Sequence, residues 1–298
     1  MKLLRSIGVN LRRAVCSAGF LCCVLAVFVM CFANVIGTDP TTLDRLTIPA
    51  ALMRPELIRQ DVHYCAFQVF TAGSPVWVTM FTPVLAAFAY VPLLCDERRS
   101  QLGRLLIARQ GKLRYALSHV CGAALTGGLT MLCGFALFGI AAAVLFPSLQ
   151  SYDSASVSAF LEEQGWRYPQ GIAAGIRAGH FAPAILLKCA EMFLYGVISA
   201  LPALLCAAFT LNKYTVLCLP FFAAYSWTQL NARLTAKIAF SGGEYPKFGQ
   251  FLSRSTPNAL LTALERDTAQ ILLLHGGFAL LLILIFTVLM QRRRDCGA

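Results

Sequence analysis

Of 298 residues, 58% are hydrophobic and only 13% charged, and the mean hydropathy is +0.67. A soluble domain carries about 45–50% apolar and about 25% charged residues, so composition excludes an ordinary soluble globule and points to a membrane protein. The formal net charge of +11 does not read as nucleic-acid binding, because the basic residues hug the ends of apolar runs and no aromatic platform accompanies them.

The chain opens on MKLLRSIGVNLRR, residues 1–13, which sets Leu3, Leu4, Ile7 and Leu11 on one side of a helix. A bilayer core takes about 20 consecutive apolar residues per helix. Six segments qualify: 14–36, 74–95, 116–146, 183–211, 214–234 and 268–290. The first is read as a retained span, since its apolar run exceeds the roughly 7–15 residues of a signal peptide and no A-x-A-like site follows. The third is long enough to tilt or to extend past the bilayer. Only Asn212 and Lys213 separate the fourth from the fifth.

Six spans put both termini on one side. That side, made of 1–13, 96–114, 212–213 and 291–298, holds 14 basic residues against three acids, Asp96, Glu97 and Asp295, while the rest of the chain holds 11 of each. Counting Lys and Arg near span ends places this side, and both termini, in the cytoplasm of a multi-pass cell-membrane protein. The loops 38–73, 147–182 and 235–267 then lie outside, where WRYPQG, SGGEYPKFG and STPN mix aromatics with turn residues and suit short interfacial helices or a cap.

The most charged stretch is DERRSQLGRLLIARQGKLR, 96–114. Asp96 is expected to cap a short helix with Glu97 in its first turn. Leu102, Leu105 and Leu106 fall on one face, Arg98 and Arg109 flank them, Arg104 points away, and Gly111 stops the helix. Physics alone leaves two readings: an interfacial helix with Leu in lipid and Arg on phosphates, or a docking surface for an acidic-rimmed groove on a partner.

An acid–Arg pair ending span two, a short L-x-x-LL helix and a basic turn into span three resemble the type 2 ATP-binding-cassette (ABC) permeases. There the corresponding segment is the coupling helix that seats in the ATPase subunit. Residues 1–13 resemble the elbow helix of that family. GVISALPALLCAAFTLNKYTVLCLPFF, across spans four and five, resembles its small-residue fourth span, N-K-Y turn and proline-bearing fifth span. Gln101 and Gln110 depart from the commonest coupling pattern.

The resemblance implies an all-α polytopic fold and an export-type permease that is not itself an enzyme. Glu97, Arg98, Arg99, Leu102, Leu105, Leu106 and Arg109 would contact a separate ABC ATPase subunit that holds the ATP and Mg. No cofactor is implied on this chain, and a second permease subunit, identical or different, completes the pathway. The P-loop G-x-x-x-x-G-K-[ST] is not met here: Gly111 and Lys112 are present, but Leu106 stands for the first Gly and Leu113 for the hydroxyl.

Within the spans, Ala123 with Gly127 and Ala124 with Gly128 make small-xxx-small faces, matched by Gly196 and Ala200 in span four. They serve either packing within one bundle, or a dimer face or pathway. Pro83, Pro92, Pro202 and Pro220 each remove a helix hydrogen bond. Lys188 and Glu191, three apart near the start of span four, are expected to pair and snorkel to the interface or to touch substrate. The four histidines are scattered without metal-site spacing, and most of the 12 cysteines sit inside spans with no disulfide framework. A membrane-embedded enzyme or scaffold needs a polar intramembrane cluster, of which the sequence offers only Lys188 and Glu191. A secondary transporter needs internal repeats, and the two halves show no convincing similarity.

Overall fold

The apolar runs become long helices, and the segments between them fold into short ones. A computed structural model describes residues 2–38, 45–72, 76–100, 102–240, 246–264 and 268–292. Gln101, Asp295 and the basic residues Arg293 and Arg294 lie outside the described residues, as do parts of the TAGSP and SGGEYPKFG segments.

The N-terminal amphipathic stretch forms α1 (Lys2–Val15), and α2 (Ala18–Phe32) follows at a bend of 64°. The boundary expected between 1–13 and the span 14–36 therefore falls a few residues later, and the helix of that span is Ala18–Phe32. Ser17 makes the break: its backbone is extended and its Oγ accepts the Phe20 N–H at 3.2 Å, capping α2. Helix α2 stops at Phe32, and the chain turns into a small antiparallel hairpin of β1 (Val35–Thr38) and β2 (Arg45–Thr47), registered Val35 to Thr47 and Thr38 to Arg45. Three short helices follow, α3 (Ile48–Leu52), α4 (Pro55–Gln60) and α5 (Ala66–Thr71).

Span two is built of α6 (Val76–Phe88) and α7 (Val91–Arg99), and α8 (Leu102–Gln110) lies between it and α9 (Lys112–Leu145). At about 1.5 Å per residue the 34 residues of α9 run about 51 Å, against about 30 Å for a hydrocarbon core. Two helices, α10 (Ser154–Gly165) and α11 (Gln170–Arg177), fill the next loop before α12 (Ala182–Phe209). The chain closes with α13 (Lys213–Phe240), α14 (Pro246–Ser255) and α15 (Thr268–Arg292).

The protein is all-α apart from the hairpin, with helices suited to multiple membrane passes. Among the described residues four stretches are long and apolar enough to span: Trp77–Arg99, Lys112–Ser151, Ala182–Phe209 and Ala269–Arg292; the bent α1–α2 pair makes up to five. Helix α13, over the expected 214–234, has the length but not the apolarity, because Tyr225, Ser226, Trp227, Thr228, Gln229 and Asn231 interrupt it.

Helix α9 is the hub, contacted by α1, α2, α5, α6, α12 and α15. Lipid tails are as apolar as leucine, so close van der Waals contact rather than water exclusion must hold such helices together. The small residues provide it. A Cβ on Gly127 would lie 2.8 Å from both the Ala200 Cβ and the Gly196 carbonyl oxygen, so Gly127 and Gly196 bring the α9 and α12 backbones together. Gly128 likewise seats Phe193 and Val197, and Gly134 seats Val27. Both glycines expected to pack or to line a pathway, Gly127 and Gly128, thus face α12 of the same chain.

Two apolar cores stack along α9. One, around Tyr90, Leu94, Ile107, Tyr115, Leu204 and Phe286, lies at the end that carries α8. The other, around Phe70, Phe135, Phe138, Met192 and Tyr195, lies toward the opposite end and takes in Leu46, Ile48 and Ile58 of the first cap segment. The cap is stitched by Tyr152, which donates to the Ile58 carbonyl at 2.6 Å, and by the Ala66 amide, which donates to the Pro147 carbonyl at 3.0 Å. Burial pushes the Tyr152 hydroxyl up to about 12.

Candidate functional site

The candidate site is the end of the bundle where α1, α7, α8 and the start of α9 meet. Asp96 does not cap a helix there. It lies inside α7, which continues span two to Arg99, and its carboxylate pairs with Lys213 Nζ at 2.7 Å. Helix α8 begins only at Leu102 and ends at Gln110; Gly111, at φ +85°, supplies the left-handed turn that starts α9.

Glu97 was expected on the docking surface, but it is only 5% exposed. Its Oε1 accepts the Tyr115 O–H at 3.0 Å and lies 3.3 Å from His119 Nε2; its Oε2 accepts from Arg13 at 3.3 Å. The Tyr90 hydroxyl sits 2.7 Å from His119 Nδ1. An ionised carboxylate only accepts, so Nε2 carries the proton facing Glu97, while Nδ1 and the Tyr90 hydroxyl share a hydrogen bond. A buried carboxylate requires such partners, since an unpaired one is strongly disfavoured in a low dielectric. Asn10 joins α1 to the same cluster by donating to Ser118 Oγ at 3.4 Å. Glu97 therefore fixes the relative positions of α1, α7 and α9 and is not available to a partner.

Arg98 is also turned inward. It donates to the carbonyl of Ala207, one of the terminal carbonyls of α12 that lack a helical partner. Arg99 is exposed. On α8, Gly103 and Ile107 face the bundle, Leu106 is half-buried, and Leu102 and Leu105 point outward with 50% and 70% exposure. The expected three-leucine stripe is thus two exposed leucines, flanked by exposed Arg104 and Arg109. A Cβ on Gly103 would lie 3.1 Å from the Tyr115 hydroxyl, so α8 rests directly on the Glu97 cluster. Lys112 Nζ donates to the Gln291 carbonyl at 3.2 Å and ties the same base to the end of α15.

Sequence reasoning passed over Arg13, Tyr90, Tyr115 and His119. One signal was present: Tyr115 and His119 lie at i, i+4 on one face of the start of span three.

Lys188 and Glu191 are elsewhere, toward the opposite end of α12. They pair at 3.2 Å in full burial. Lys188 Nζ donates to the Leu261 carbonyl at 2.7 Å and Glu191 Oε1 accepts the Leu264 N–H at 2.9 Å, so the pair holds the Pro257–Thr262 turn and the residues just after it. Neither side chain snorkels. Further along α12 a cavity of about 530 Å³ opens among α6, α12, α13, α14 and α15, with Pro83, Pro202 and Pro220 in its walls together with Trp227, His275 and Phe278. Trp227 Nε1 donates to the Ser255 carbonyl at 3.2 Å and His275 Nε2 to the Arg254 carbonyl at 3.1 Å, which holds α14 across it.

No protein-family model, curated protein or solved structure matches the chain. Its chemistry is therefore read from its residues. Among the described residues no three His, Cys, Asp or Glu side chains gather as a metal site. The nearest approach to one is on the cap, where His63 lies between Asp61 (2.8 Å) and Glu163 (3.2 Å) and clasps the two loop segments. Partial burial lowers the His63 pKa, but the hydrogen bonds and charges of the two carboxylates outweigh it and raise it above the ordinary imidazole value.

Proposed function

We propose that the chain is the membrane-spanning permease subunit of an export-type ABC transporter. In this reading six helices cross the cell membrane, α13 included, and both termini and α8 lie in the cytoplasm. Helix α1 is the elbow and α8 the coupling helix. A second permease subunit faces this one, and a separate ATPase subunit holds ATP and Mg.

The observation that carries the reading is the build of α8. It presents Leu102 and Leu105, rimmed by Arg104 and Arg109, away from the bundle, while its inner face sits on the Tyr115–Glu97 cluster. A load on Leu105 is passed through Gly103 and Ile107 to the bases of α7 and α9 rather than absorbed in a loop. The basic excess at this end of the bundle supports its cytoplasmic placement. The proline-walled cavity under α14 supports a pathway on the α6–α12–α13–α15 side. Proline weakens a helix locally and permits hinging there.

Purification of the intact chain from its native membrane tests the reading. An ABC ATPase is expected to co-purify, and Leu105→Asp is expected to fold normally yet abolish both that association and ATP-dependent transport. Isolation without any ATPase, together with transport untouched by Leu105→Asp, overturns the coupling role. Cargo movement by the purified chain on an ion gradient without ATP overturns the class.

A further inference from the structure

We propose that the crevice between α1, α8 and the start of α9 is a binding site for the phosphate headgroup of an anionic phospholipid. The crevice holds about 430 Å³. Arg5 and Arg13 reach it from α1 and Arg109 from α8, and among the described residues no acidic side chain lines it. Glu97 lies behind it, held by Tyr115 and His119, and of the three arginines it engages Arg13, at 3.3 Å. Two guanidinium groups are left facing an open, partly enclosed space, with Asn10 and Gln110 as neutral donors beside them. Planar, weakly hydrated guanidinium pairs suit phosphate oxygens, and basic pockets between helix bases recognise anionic headgroups.

A lipid source is favoured over soluble phosphate by position and by the walls. Helix α1 is amphipathic and bends 64° from α2, the geometry of a helix lying along a membrane surface. Its Leu4 is 74% exposed and Val9 is both exposed and part of the crevice wall, with Leu106 opposite. Val9 and Leu106 supply an apolar lip for glycerol and the first acyl carbons, and the exposed Leu4 lies on another face of α1. Because Arg109 belongs to α8, a bound headgroup would tie α8 to α1.

The test is titration of the full purified chain in detergent with fluorescent phosphatidylglycerol and, separately, fluorescent phosphatidylcholine. Phosphatidylglycerol is expected to bind saturably and more tightly. Arg5→Gln/Arg109→Gln is expected to weaken it about tenfold or more, whereas Arg99→Gln/Arg104→Gln, which removes the same charge from exposed positions outside the crevice, retains it. Arg5→Lys/Arg109→Lys, which keeps the charge, is expected to hold most of the affinity, and serves if the glutamine variant fails to fold. Equal binding of the two lipids, or equal loss in both glutamine variants, overturns the proposal. Inorganic phosphate that displaces the probe as effectively as unlabelled phosphatidylglycerol also overturns it and assigns the crevice to a soluble ligand.

Discussion

Lys188→Met is expected to loosen the turn that follows α14. Methionine matches the lysine in length and removes only the charge and its hydrogen bonds. In the native protein Lys188 Nζ serves both the Glu191 carboxylate at 3.2 Å and the Leu261 carbonyl at 2.7 Å, and Glu191 is wholly buried. The variant takes the cationic partner at 3.2 Å from that carboxylate, and the Leu261 carbonyl loses its lysine donor. Removing one member of a buried pair costs about 3–5 kcal/mol, and an orphaned buried carbonyl about 1–3 kcal/mol; the two overlap, so about 4 kcal/mol is a fair total. For a chain of this size the melting point should fall on the order of 10 °C. In Lys188→Met/Glu191→Met the buried carboxylate is gone as well, so roughly half the loss, about 2 kcal/mol, should return. Size-exclusion chromatography after heating the detergent-purified protein gives the melting points, and tryptic cleavage after Arg254 reports the local opening. A Lys188→Met protein that melts within about 2 °C of the parent, or a double variant no more stable than the single, would refute this account.

Gly127→Val forces methyl groups into the α9–α12 contact and should cost about 1–3 kcal/mol, measured as a drop in melting point; Gly8→Val, with nothing within 4 Å of its Cβ position, is the control. Gly103→Leu should lift α8 off Tyr115, and in the proposed transporter it should reduce coupling of ATPase activity to transport about two- to thirtyfold while the bundle still melts normally. The His63 clasp should depend on pH. A histidine whose folded pKa is raised contributes its full stability below the ordinary imidazole pKa and loses it as pH rises through the raised value. Proteolysis of the cap segments should therefore accelerate as pH rises above the ordinary imidazole value of about 6.5, and His63→Gln should show a flat profile.

The spans were the most legible part of the chain, because burial in lipid demands a continuous apolar run and 116–146, 183–211 and 268–290 each have one. The position of the α1–α2 break was less legible: it was placed after residue 13, where the charges end, and falls at Ser17, a single polar residue inside the hydrophobic stretch. Lys188 and Glu191 announced their pairing by their i, i+3 spacing, but their backbone partners at Leu261 and Leu264 lie 73 positions away and leave no periodic trace. Glu97 was misread for a related reason. Placing the helix end at Asp96 put it on the surface, whereas α7 runs on to Arg99 and turns it toward Arg13, 84 positions distant, and Tyr115. On α8 the two apolar faces, Leu102 with Leu105 and Gly103 with Ile107, are too close in pattern for spacing to say which one faces out.

The length of α9 has a mechanical meaning. It is one uninterrupted rod, clamped at its base by Tyr115 and His119 and at its far end by Phe135, Phe138 and Ala142 against the first cap segment. Over about 51 Å a tilt of about 5° carries one end sideways by about 4 Å, close to the diameter of a methyl group. A disturbance too small to break any bond at the foot therefore arrives at the roof as a displacement large enough to repack side chains.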